Sequence, residues 1–323
     1  MKRKVVFVLA WGLLLVSVYF AMTALNGKEL WLAAQRLLQH GWLLLVMAIC
    51  YAVAFWLRSV GWALQMGQAG SNKATVEQLW LYHHIGLFLN HVLPIKGGEL
   101  ARAALLKTRH KLDWGTSLYS VGISRLLDMS ALMAIAALTM LWVAPHLFAA
   151  WVGEKTVWFW LLSPLALIGV YLVTRLAKRR QDKLPDIFRR FLAQTENGQR
   201  WWLAFGCTLL GWVLEAAVIG SVVFGLGGTL DVAQALLIHV LTIMGQTLHV
   251  TPGGIGTYEA VMSTLLVQVA GYTLAFGLQA AILSHGFKFV YSFVIGGYAA
   301  WRLSLSPLRL YRQAKEEGER RSR

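Results

Sequence analysis

Several ionisable side chains sit in or beside long apolar stretches of this sequence, among them Glu99, Arg102, Arg125, Asp128, Glu215, Glu259 and Lys288. A charge at the centre of a bilayer costs roughly 2.5 to 3.5 kcal/mol on insertion scales, so each is a candidate for a substrate or ion pathway. Lys96, Glu99 and Arg102 surround a Gly97-Gly98 turn, and Glu99 and Arg102, three residues apart, share a helix face. A helix that starts there points free N–H groups and a positive dipole end at whatever lies beside Gly97 and Gly98, and a phosphate fits that description. Arg125 and Asp128 share a face of a further apolar stretch, while Arg58, Glu215 and Lys288 lie in others. Two uses follow. Lys96, Arg102, Arg125 and Lys288 could form a cationic lining for an anionic headgroup, with Glu99, Asp128, Glu215 and Glu259 as counter-ions. Alternatively the charges neutralise one another, Glu99 with Arg125 and Glu259 with Lys288, and only fix helix packing.

Other chemistries lack their parts. The sequence holds no HExxH, CxxC, GxSxG or Walker loop, which argues against metal, serine or ATP hydrolysis, and no cofactor or metal is expected. His83, His84, His91, His239, His249 and His285 lie in or near apolar stretches, where they could relay protons or complete interhelical hydrogen bonds. Cys50 and Cys207 both fall within apolar runs and read as packing residues. Trp31, Trp42, Trp201 and Trp202, near the ends of such runs, read as interfacial anchors.

The elements that must position these residues are membrane helices. With 57% hydrophobic and 14% charged residues, the 323-residue chain lies outside the range of soluble domains. Apolar stretches long enough to cross about 30 Å of hydrocarbon occur at 5–25, 42–66, 117–143, 157–176, 201–227 and 274–302. Shorter ones at 79–93 and 233–250 each run into a Pro/Gly break. The net charge of +15 does not indicate nucleic acid, because the basic residues lie in the connections between spans. With both termini in the cytoplasm, 24 of the 30 Lys and Arg residues fall on the inner side, at 1–4, 67–116, 175–200 and 302–323. Lys2-Arg3-Lys4 before an apolar run resembles a secretory signal, but the run is long and no small-residue cleavage site follows, so a retained first helix is expected.

The two interrupted segments correspond. His91-Val92-Leu93-Pro94 leads into Ile95-Lys96-Gly97-Gly98-Glu99, and His249-Val250-Thr251-Pro252 leads into Gly253-Gly254-Ile255-Gly256-Thr257-Tyr258-Glu259. Each is followed by a long apolar stretch with a buried cation, Arg125 or Lys288. Counting spans makes the halves opposite in orientation, and paired broken helices in inverted halves point to a transporter binding site. The expected architecture is an all-α polytopic membrane protein with six full transmembrane helices and two broken, re-entrant segments in two inverted halves. It forms a single domain over 1–323, with halves at about 1–143 and 157–302 and a basic cytoplasmic tail at 303–323.

Three blocks resemble one family: Leu93-Pro94-Ile95-Lys96-Gly97-Gly98-Glu99-Leu100-Ala101-Arg102, then Ser124-Arg125-Leu126-Leu127-Asp128, then Thr251-Pro252-Gly253-Gly254-Ile255-Gly256-Thr257-Tyr258-Glu259. The chain is similar to the membrane region of lysylphosphatidylglycerol synthase/flippase proteins, including the stand-alone YbhN-like members. The resemblance implies a lipid flippase or related transporter of the bacterial inner membrane, with the Gly-Gly-Glu-x-x-Arg, Arg-x-x-Asp and Pro-Gly-Gly-x-Gly-x-x-Glu blocks lining a central cavity. Family members with aminoacyl-lipid synthase activity carry a cytosolic catalytic domain after the membrane region. This chain ends about 20 residues beyond its last span, so transport without synthase activity is expected. The implied cargo is an anionic or aminoacylated phospholipid or a polyprenyl-phosphate carrier. The alternatives are a membrane-embedded enzyme with Glu99 or Glu259 as base, and an accessory subunit working with a lipid-biosynthesis enzyme. Gly220 and Gly296-Gly297 could permit close helix contact in a homodimer.

Overall fold

The computed structural model describes residues 27–66, 74–92, 97–143, 145, 198–248 and 251–305. The spans expected at 5–25 and 157–176, together with Pro94, Lys96, His249 and the tail from 306, lie outside the described residues. Among the described residues every regular element is helical: α1 (Gly27–Gln39), α2 (Gly41–Met66), α3 (Val76–Val92), α4 (Gly98–His110), α5 (Trp114–Val143), α6 (Gly198–Glu215), α7 (Ala217–Gly225), α8 (Val232–Gly245), α9 (Thr257–Ala270) and α10 (Leu274–Arg302).

Among the described residues four helical stretches are long and apolar enough to cross a membrane: Gly41–Met66, Trp114–Val143, Gln199–Gly225 and Leu274–Arg302. They coincide with the four expected spans that can be compared. Their outward faces carry large apolar side chains at helical spacing, such as Leu45, Ile49, Val53 and Trp56 on α2 and Val290, Phe293, Val294 and Trp301 on α10. A soluble protein does not expose such a continuous belt. The apolar run 201–227 carries a one-residue irregularity at Ala216, whose φ of −65° and ψ of −18° stay helical, and α6 runs on into α7 as one stretch. The irregularity follows Glu215, whose carboxylate is engaged from two other helices.

The two interrupted segments become two helix pairs, α3 with α4 and α8 with α9, whose members have 17, 13, 14 and 14 residues. At 1.5 Å per residue each is about 20 to 25 Å long, short of the hydrocarbon thickness. Their starts are capped: Thr75 and Gln78 bond each other's backbone at α3, Asp231 and Gln234 do so at α8, and Glu259 accepts from Gly256 N–H at α9. The packing is reciprocal. The second member of each pair lies on the long helix that follows it, α4 on α5 and α9 on α10, while the first member lies on the other pair's long helix, α3 on α10 and α8 on α5.

Helices α2 and α6 make the closest seam. A Cβ placed on Gly61 would lie 3.0 Å from the Ala204 carbonyl oxygen, and one on Gly211 would lie 2.9 Å from that of Ala54. The two contacts make the helices antiparallel, with Ala54 and Gly61 facing Gly211 and Ala204 across the same seven-residue spacing. Between membrane helices such small residues allow dispersion contacts that the lipid cannot match. Helix α2 contributes to two buried apolar clusters. One is centred on Met47, Ile219, Ile238 and Met262, the other on Trp62, Leu79 and Leu106.

The first helix pair closes on a backbone contact. A Cβ on Gly98 would sit 2.2 Å from the Gly86 carbonyl oxygen, a clash that flexible side chains cannot relieve. Gly98→Ala is therefore expected to lower the thermal transition of the purified protein, by about 1 to 3 kcal/mol or more in stability. Gly122→Ala, where a Cβ meets open space, is expected to leave the transition unchanged or raise it; equal transitions for both variants would count against the close approach.

Candidate functional site

The helix pairs and long helices enclose a cavity of about 150 Å³. Its wall takes Tyr51, Phe55 and Arg58 from α2, Gly86, Asn90 and His91 from α3, and Gly98, Glu99 and Arg102 from α4. Arg125 and Asp128 come from α5, Trp212 and Glu215 from α6, Gln246 and Gly253 from the second break, and His285 and Lys288 from α10. The volume suits one compact group such as a phosphate and its immediate substituent, so acyl chains would have to stay outside. Counting His285 with its partner Glu259 as a neutral pair and the other histidines as neutral, the described residues of the wall include four cations, Arg58, Arg102, Arg125 and Lys288, against three carboxylates, Glu99, Asp128 and Glu215, an excess of one positive charge.

Glu215 is the first node. It is 3% exposed, and its carboxylate accepts a short hydrogen bond from Arg58 and one of 3.1 Å from Lys288 Nζ. The Arg58 guanidinium lies between the rings of Phe55 and Trp212, 4.3 and 4.1 Å from their centroids.

A second cluster belongs to the first helix pair. Arg125 lies 3.8 Å from both Glu99 and Asp128, and Asp128 also accepts from Trp212 Nε1 at 3.2 Å. Both carboxylates have Arg125 as their nearest described cation. Arg102 is 6% exposed, its guanidinium lies over the Trp62 ring at 4.5 Å, and among the described residues its Nε and Nη2 have no hydrogen-bond partner. Buried donors are rarely left so, because each unmade bond to a charged group costs a few kcal/mol. The Arg102 stem reaches this position by passing over Gly86, where a Cβ would lie 3.0 Å from its Cδ.

Each break is clasped by a carboxamide. Asn90 Oδ1 accepts from Gly98 N–H at 2.8 Å, and Gln246 Nε2 donates to the Gly253 carbonyl at 2.5 Å. The α4 N-terminus thus has one N–H already engaged by the protein. In the second break Gly253, Gly254 and Gly256 have φ of 63°, 78° and 89°, backbone that glycine adopts without strain. The breaks meet: a Cβ on Gly253 would lie 3.1 Å from the His91 ring and 2.4 Å from that of Phe289.

Residues 5–296 match the family described as the lysylphosphatidylglycerol synthase TM region. The chain belongs to this family. Membership ties it to membrane-lipid function and, with its four long apolar helices, makes it a multi-pass membrane protein. No curated protein and no solved structure matches the chain.

In this lysylphosphatidylglycerol synthase TM region the three sequence blocks converge unevenly. Gly98, Glu99, Arg102, Arg125, Asp128, Glu215, Gly253 and Lys288 line the cavity. Gly97 is the N-cap of α4, Pro252 opens a short 3-10 turn with Gly253 and Gly254, and Gly256 with Glu259 caps α9 behind the wall. The alternative pairing of Glu259 with Lys288 is overturned. Lys288 goes to Glu215, while Glu259 Oε1 lies 2.7 Å from His285 Nδ1. Glu259, in the first turn of α9, meets His285 one turn before Lys288 on α10, whereas Glu215 reaches Lys288 from α6. Arg58 stood in its span as an isolated cation, and its partner lies 157 residues away. The buried Trp62 and Trp212 supply ring faces to Arg102 and Arg58, unlike the exposed Trp31, Trp42 and Trp202 near helix ends. Among the described residues no group of His, Cys, Asp and Glu is arranged to hold a metal ion.

Proposed function

We propose that this protein moves a lipid with an anionic headgroup across the bacterial inner membrane, its two halves rocking about the central cavity with both termini in the cytoplasm. The observation that carries this is Arg102, a buried guanidinium with unmet donors in a cavity one positive charge in excess. A phosphodiester supplies both the missing acceptors and the missing charge. The reciprocal packing of the helix pairs and the antiparallel α2–α6 seam support reading the halves as an inverted repeat with re-entrant pairs, the arrangement in which broken helices meet at a midplane site. The small cavity suits a headgroup passing through protein while its tails remain in lipid. Anionic phospholipids, aminoacylated phospholipids and polyprenyl phosphates share the required phosphate.

Glu259 is not available as a general base, because one of its oxygens accepts from Gly256 N–H and the other meets His285, whereas Glu99 keeps an Oε2 without a hydrogen-bond partner among the described residues, so the test must separate turnover from transport. The test is reconstitution in phosphatidylethanolamine–phosphatidylglycerol vesicles with headgroup reporters on each lipid. Faster exchange of the anionic reporter than of the zwitterionic one is expected. Exchange of every lipid no faster than in protein-free vesicles would overturn the proposal, and chemical turnover of the lipid in detergent would replace it with an enzyme.

A further inference from the structure

His285 makes two contacts that the capture of an anion by Arg102 does not use. Its Nδ1 lies 2.7 Å from Glu259 Oε1 and its Nε2 lies 3.1 Å from the Gly253 carbonyl oxygen. A carbonyl oxygen only accepts, and so does an ionised carboxylate, so both ring nitrogens face acceptors. Two arrangements satisfy both contacts. Either an imidazolium donates to a carboxylate and to Gly253, or a protonated Glu259 donates to Nδ1 while a neutral ring donates from Nε2. Both are neutral overall and contain the same proton, one more than a neutral ring beside a carboxylate. Without that proton the pair carries −1, and a single N–H must serve two acceptors. One contact is then left with lone pair against lone pair.

The contact at stake is structural. The Gly253 carbonyl is the turn atom that Gln246 also holds, and the ring of His285 stacks on Tyr258 at 4.1 Å, locking α9 to α10 beside the break. The titratable groups facing His285 are Glu259 and Tyr258 on α9, His91 on α3 with its ring centroid 6.3 Å away, and Lys288 one turn along α10, already paired with Glu215. Phe289 packs on the ring without charge, and α7, also against α10, presents no titratable side chain.

We propose that the His285–Glu259 dyad is a proton-binding site coupled to the anion site, so that one proton travels with each monoanionic headgroup; this rests on the transport function proposed above. The charge count sets the direction of coupling. Counted over the described residues that line it, the empty cavity carries +1 with the dyad protonated, and a bound monoanion brings it to zero. With the dyad deprotonated the empty cavity is already neutral, and an anion would leave it at −1. In a low-dielectric enclosure the two neutral combinations prevail, fully loaded and fully empty. Anion and proton therefore load and leave together, and each raises the affinity for the other by the same factor. The carried unit is neutral, so a pH difference across the membrane drives net movement and the membrane potential does not.

The experiment is a titration of the purified full-length protein in lightly buffered detergent with dihexanoyl phosphatidylglycerol, reading lipid binding and proton uptake together. The wild type is expected to take up close to one proton per lipid bound. Glu259→Gln places an amide where the protonated carboxyl stood, donating to Nδ1 while its oxygen still accepts from Gly256 N–H. It is expected to bind the lipid with no proton uptake and with an affinity independent of pH. His285→Gln, which removes the ring, is expected to lose uptake as well. Either variant suffices if its thermal transition shows it folded. Lipid bound by the wild type with no proton taken up at any pH where the fold is intact would overturn the coupling and leave transport standing. Uptake unchanged in both variants would place the proton elsewhere and overturn the dyad. A wild type that binds no anionic lipid would overturn both the coupling and the transport function.

Discussion

Glu215→Ala is expected to destabilise the protein by about 3 to 5 kcal/mol, the usual cost of removing one partner from a buried charge cluster. The substitution strands Arg58 and Lys288, 7% and 4% exposed, without their shared carboxylate. The rings that flank them, Phe55 and Trp212 for Arg58 and Tyr51 and Tyr258 for Lys288, compensate only in part. A cation over a ring gains about 0.5 to 2 kcal/mol, less than a buried cation loses with its counter-ion. The thermal transition of the purified protein, with the yield of folded protein in membranes, measures the loss. Removing all three charges together, as Arg58→Met with Glu215→Leu and Lys288→Met, is expected to recover most of the stability, because no charge is then left alone. Wild-type stability in Glu215→Ala would show that the cluster does not hold α2, α6 and α10 together.

Arg102→Met is expected to do the reverse. Among the described residues its Nε and Nη2 meet no acceptor, so replacing it with an apolar chain of similar length leaves stability unchanged or raises it. Movement of an anionic lipid in reconstituted vesicles is expected to fall roughly ten- to a hundredfold, the equivalent of about 1.5 to 3 kcal/mol for a hydrogen bond to a charged group. Basal movement of a zwitterionic lipid is expected to change little. Arg102→Lys keeps the charge but loses the planar fork, and it should fall between the two. A severe loss of stability in Arg102→Met, with anionic-lipid movement intact in the folded remainder, would make Arg102 a structural residue and remove the main support for an anion site.

The sequence by itself determined the helices and the depth of the charges. Apolarity over about 20 residues is set by transfer from water to hydrocarbon, a property of each segment alone, so the runs at 42–66, 117–143 and 274–302 coincide with α2, α5 and α10. The Pro/Gly breaks were equally local, because positive φ at Gly253, Gly254 and Gly256 is a demand on single residues. Family membership could be read from the same blocks. What the tertiary structure alone decided is which charge meets which. Proximity along the chain points to Glu259 for Lys288, yet helix packing brings Glu215 from α6 to Lys288 on α10 and joins it to Arg58 on α2. The equal spacing of Ala54 and Gly61 with Ala204 and Gly211 is present in the chain, but it gains meaning only when the helices dock antiparallel. Arg102 and Arg125 look alike in sequence, and among the described residues only one is left without an acceptor. Segment insertion depends on sums over neighbours in sequence, whereas pairing inside a membrane protein depends on direction and distance across helices far apart in the chain, where a few ångströms separate a satisfied charge from one that waits for a ligand.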